Sequence, residues 1–219
     1  MRKWGVLISI IYAVIVLGLL TPVGVLLAGP SDLSEFWKGA LGAYREWLLW
    51  VPVLIVLGGQ ALLLFLSVDT SQKRLKPRSH ILFSCGLAGI LAALLTFAVI
   101  GAIGVATKGD KFGDGTFENP YLFFGVAWVF WGIVFCLFLR NSSTVVNQIV
   151  SWLLRGSILE LLIAVPCHVI VRRRHDCSAP IVTSFGIVTG IAIMLLSFGP
   201  SVLLLYKKRL DAYAARSST

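Results

Sequence analysis

Stretches of about twenty consecutive apolar residues recur along this chain, and each is long enough to cross a bilayer as one helix. Five are clear, at 5–28, 47–68, 81–107, 121–139 and 180–206; a sixth, at 145–171, is interrupted by charge. Backbone inside hydrocarbon must satisfy its own polar groups, and isolated segments of this length do so as helices. The expected fold is therefore all-α: a polytopic membrane bundle of six transmembrane helices, with five as the fallback, in one domain over residues 1–219. Between the first two spans, 31–46 opens with Ser31 and Ser34 beside early acids, which suits a helix N-terminus. Phe36, Trp37, Leu41, Tyr44 and Trp47 follow at helical spacing, which predicts a short amphipathic helix lying in the interface.

Composition narrows the class further. Only 13% of residues are charged and 58% are apolar, against about 25% charged in an average soluble chain. Little chain remains outside the spans, which excludes a large catalytic head, a nucleotide-binding domain, a disulfide-stapled secreted fold and a disordered tail protein. The opening Met1-Arg2-Lys3 followed by apolar residues has the look of a secretory signal. Its apolar run is much longer than the ~7–15 residues of a signal core, so an uncleaved first helix is expected. Thr21-Pro22 predicts a kink in that helix, and Gly199-Pro200 a bend near the end of the last.

The formal net charge is +9. The basic residues gather at the ends of apolar runs and are not interleaved with aromatics as in a nucleic-acid groove, so no nucleic-acid partner is expected. With six spans and a cytoplasmic N-terminus, the inside holds Arg2, Lys3, Lys73, Arg74, Lys76, Arg78, Arg140, Lys207, Lys208, Arg209 and Arg216, eleven in all. The outside holds Lys38, Arg45, Lys108, Lys111 and Arg172 to Arg174, seven in all. Treating 145–171 as re-entrant gives eleven against eight, so the count barely separates the two topologies. Six spans are preferred for the length and Leu/Ile/Val content of 145–171, which puts an Arg triplet on the outer face against the rule. The expected location is a plasma or bacterial-type inner membrane.

Two faces promise close contact. The 81–107 segment is rich in Gly86, Gly89, Ala92, Ala93, Gly101 and Gly104, which let neighbouring helices approach. The 121–139 segment carries seven Phe and Trp residues, too bulky for close packing on every side, so part of it should face lipid or a partner. Gly186 and Gly190 form a GxxxG match.

Few residues are candidates for chemistry. Arg155 and Glu160 lie inside an apolar segment, where a charge costs about 2.5–3.5 kcal/mol on insertion scales. Five residues apart, they project about 140° from one another, so each needs a partner elsewhere. Ser157, Glu160, Ala164, Cys167 and His168 share a face and read as a polar stripe directed into the bundle. Cys167-His168 and His175-x-Cys177 offer four N/S donors, enough for zinc or another metal, or a Cys167–Cys177 disulfide, though the spacing fits no standard zinc pattern. Arg172, Arg173 and Arg174 suit an anionic lipid headgroup or an acidic partner surface, and equally a plain helix-end anchor. No catalytic residue set is visible, and no cofactor is expected.

The leading expectation is a non-catalytic integral subunit that packs within a larger membrane complex, contacting lipids and other integral membrane subunits. The alternatives are a small transporter or channel with Arg155 and Glu160 in a polar path, and a metal or redox protein using the Cys/His group at 167–177.

Overall fold

The computed structural model describes residues 2–29, 33–70, 78–112, 120–139, 145–174 and 179–217. Among them every regular element is helical. In chain order these are α1 (Arg2–Ile15), a π turn (Val16–Leu20), α2 (Thr21–Ala28), α3 (Leu33–Ala43), α4 (Trp47–Thr70), α5 (Arg78–Lys108) with a 3₁₀ turn (Gly109–Phe112), α6 (Pro120–Leu139), α7 (Val145–Arg174) and α8 (Ala179–Ser217). Five helical paths are long and apolar enough to cross a membrane: the α1–π–α2 unit, α5, α6, α7 and α8. The charge-interrupted 145–171 segment is thus among them. It is α4 whose described apolar stretch, Leu49–Leu64, is shorter.

The expected kink at Thr21-Pro22 takes a specific form. Pro22 has no N–H to give the carbonyl one turn back, and its ring crowds that turn. The helix widens just before it: the Thr21 N–H reaches Val16 O, and Thr21 Oγ1 donates to the same carbonyl at 3.1 Å. The hydroxyl of Tyr44, from the α3–α4 corner, donates to Leu17 O. That corner is stitched by Arg45 N to Gly42 O (2.9 Å) and Trp50 Nε1 to Tyr44 O (3.0 Å). The predicted 31–46 helix is present as Leu33–Ala43; its proposed Ser31 start lies outside the described residues. At the far end, α8 continues as helix through Gly199-Pro200 to Ser217, past the expected end near residue 206. One missing N–H does not terminate a helix that leucines of good propensity flank on either side and basic residues continue beyond.

α5 and α8 form the centre. The main core joins Tyr12 of α1, Leu63 of α4, Leu91 and Leu95 of α5, Ile149 and Leu153 of α7, and Ile193 and Leu196 of α8. The small residues of α5 are used for close approach. A Cβ on Gly89 would lie 2.8 Å from Gly132 N, so α5 and α6 meet backbone to backbone there. Beside this contact Trp128 Nε1 donates to Gly86 O and Trp131 Nε1 to Thr96 Oγ1, both at 2.9 Å. The opposite side of α6 exposes Tyr121, Val126, Phe130, Ile133 and Phe138. Gly109 adopts φ 64°, the left-handed conformation glycine tolerates after a helix, and the turn lays Phe112 on Gly104.

Alternation of the helices brings the C-termini of α2, α5 and α7 to one end of the bundle, and the Arg triplet closes them together. Arg172 donates to Gly29 O beyond α2 at 3.1 Å, and Arg174 to Ala106 O in the last turn of α5 at 2.6 Å. Helix C-termini carry unsatisfied carbonyls and a partial negative charge. Arg172 and Arg174 therefore tie the ends of three helices together, whatever the triplet contributes to orientation.

Candidate functional site

The polar residues of α7 divide between two faces. Leu153, Ser157, Glu160, Ala164, His168 and Val171 recur every three or four residues and are buried against α5 and α8. Cys167 lies beside this row, half-buried, packed with Val171 and Ala164. Ser157 Oγ returns to its own helix, donating to Leu154 O at 2.9 Å, an arrangement usual for a hydroxyl within a helix.

Glu160 is 0% exposed, and neither carboxyl oxygen has a hydrogen-bond partner among the described residues. The space it fills belongs to α8. A Cβ at Gly186 would lie 3.1 Å from Oε1, and one at Gly190 would overlap Oε2. The GxxxG pair thus forms a notch that admits a carboxylate between α7 and α8, where ordinarily it would admit another backbone. A buried acceptor left unpaired costs about 1–3 kcal/mol, and more when charged, so this group is an expensive feature in the middle of the bundle.

His168 sits two turns beyond, with Nδ1 2.8 Å from Thr183 Oγ1. Thr183 also lies 3.2 Å from Pro180 O. A hydroxyl has one proton; spent on the Pro180 carbonyl, it leaves Thr183 to accept from Nδ1–H of His168. Of the four proposed metal donors, Cys167 and His168 are therefore placed, the first in apolar packing and the second bonded to a hydroxyl. His175 and Cys177 lie outside the described residues, and no group of three or more potential ligands occurs among the described ones.

Arg155 faces the other way. It is exposed, and with Gln148, Ser151 and Trp152 of α7 and Phe138 of α6 it lines a mixed polar and apolar groove of about 320 Å³. No hydrogen bond or ion pair engages its guanidinium among the described residues. Arg155 and Glu160 are thus separated as their spacing predicts, one outward and one inward. The spacing of Gln148, Ser151 and Arg155 was readable as a second polar stripe. The notch at Gly186 and Gly190 and the Thr183 partner were not, because both depend on which helix lies against α7.

Comparison with protein-family models, curated proteins and solved structures finds no match.

Proposed function

We propose that this chain is a non-catalytic subunit of a larger membrane complex, with α4 as a sixth span and α3 lying in the interface. One observation supports this reading above the others: Arg155 stands on the outward face of α7 in a groove with two further polar side chains. A helix of 30 residues is about 45 Å long and overhangs a ~30 Å hydrocarbon layer by about 7 Å at each end. Arg155, ten residues from Val145, then lies about 7 Å inside the hydrocarbon. A partner helix offering a carboxylate to this groove would remove the unfavourable exposure, and the bulky outer side of α6 would extend the contact.

The test is native mass spectrometry after gentle extraction from the chain's own membranes. Wild type should carry an integral partner, and Arg155→Leu should lose it while its helicity and melting temperature stay near wild type. Recovery of both proteins as lone chains of equal stability would sink the proposal and leave Arg155 as a residue that reaches to the headgroups.

A second reading, a small transporter, draws on the unpaired Glu160. In proteoliposomes Glu160→Gln would then abolish flux, whereas in an assembly subunit it changes packing alone. The metal or redox reading predicts bound metal that Cys167→Ser and Cys177→Ser remove, as measured by elemental analysis.

A further inference from the structure

α2, the π turn, α4 and α8 do not close on one another along their whole length. Between them runs an almost wholly apolar groove of about 230 Å³, walled by Leu20, Gly24, Pro52, Val56, Phe185 and Val188. Pro22 follows the π turn and Pro52 lies inside α4, and each leaves one carbonyl of the preceding turn without its helical donor; α2 meets α8 closely where Gly24 faces Val188. Of the three hydroxyls on the wall, Thr21 and Ser184 donate to Val16 O and Ile181 O of their own helices at 3.1 and 2.9 Å, and Thr189 is the third; the rest of the lining is carbon.

Along α8 the groove extends from Ile181 to Ala192. That is about 16 Å, close to half of a ~30 Å hydrocarbon layer and so the depth of one leaflet. Ala28, the last residue of α2, and Ile181, in the first turn of α8, line the end nearest the helix termini, which serves as its mouth. The next residue, Gly29, accepts the hydrogen bond from Arg172. A guanidinium has five N–H donors, so most of those on Arg172 remain at the mouth, beside the exposed Arg173.

We propose that this groove is a phospholipid site: one acyl chain lies between α2, α4 and α8, and an anionic headgroup phosphate is held by Arg172 with Arg173 beside it. The occupant comes from the bilayer, because the groove ends in apolar side chains at mid-membrane depth and is charged only at its mouth. The site does not depend on assembly with other subunits.

The chain, purified and depleted of lipid, is titrated with phosphatidylglycerol and with phosphatidylcholine of identical acyl chains and read by native mass spectrometry. One phosphatidylglycerol should be retained per chain, about fivefold more tightly than phosphatidylcholine, as one basic residue near a headgroup provides. Arg172→Gln leaves a donor for Gly29 and should erase that preference, whereas Arg172→Lys should keep it. Val53→Trp fills the groove and should weaken both lipids about tenfold or more; if it does not fold, Ser184→Leu reads the same effect from the opposite wall. Equal retention of the two lipids in wild type, or full retention in the folded groove-filling variant, overturns the proposal. Protection by inorganic phosphate alone, undiminished by filling the groove, would make this a free-anion site and overturns it too.

Discussion

Replacing Gly190 with alanine tests whether α7 and α8 are spaced by the Glu160 carboxylate. The added methyl would overlap Oε2 and lie 2.9 Å from Cδ of Glu160 and 3.0 Å from Cγ of Leu161. Overpacking of this kind costs typically about 1–3 kcal/mol, while alanine in a helix regains about 0.5–1 kcal/mol over glycine. The net loss is about 1 kcal/mol within a span of about 0–2.5, which for a chain of 219 residues lowers the melting temperature by roughly 2–4 °C. Gly58, where an added methyl would meet nothing within 4 Å, is the control, and its alanine variant should be neutral or slightly stabilised. The decisive assay is a double-mutant cycle in detergent, with melting followed by circular dichroism. In a Glu160→Ala background the methyl at 190 has room, so Gly190→Ala should become neutral or stabilising. An equal loss in both backgrounds would refute the argument and put the clash on Leu161.

Other expectations concern the bonds that fix the bundle. Tyr44→Phe removes the donor to Leu17 O at the π turn and should cost about 1–3 kcal/mol by the same melt, because that carbonyl has no helical donor to replace it. Arg174→Gln should destabilise by about 0.3–1 kcal/mol through the end of α5, whereas Arg173→Gln should change stability by less than about 0.5 kcal/mol. Trp131→Phe should lower the melting temperature by a few degrees, since it removes about 1 kcal/mol of hydrogen bonding between α6 and α5.

What the sequence made legible was whatever depends on one helix at a time. The apolar runs located the long helices, the small residues of α5 marked a close contact, and the five-residue step from Arg155 to Glu160 separated them by face. What was hidden depends on neighbours. Gly186-xxx-Gly190 reads as a backbone-packing motif, and only the side chain opposite, a glutamate, turns it into a notch. The Arg triplet reads as an anchor or an anion site, and only the convergence of α2 and α5 supplies its carbonyls. Likewise Pro22 announces a break, but whether the helix kinks, ends or widens was decided by Thr21 and by the hydroxyl of Tyr44, twenty-seven residues beyond the Leu17 carbonyl it caps.

The two arginine closures also bear on the order in which the bundle is assembled. Synthesis runs from the N-terminus, so the ends of α2 and α5 exist before Arg172 and Arg174 are made. By the time α7 arrives, the two carbonyls that its arginines engage are already present at one end of the bundle. Capture there then acts on its orientation alongside the distribution of flanking charge. A chain in which α2 or α5 is shortened past Gly29 or Ala106 should therefore insert α7 in mixed orientations, even with all three arginines intact.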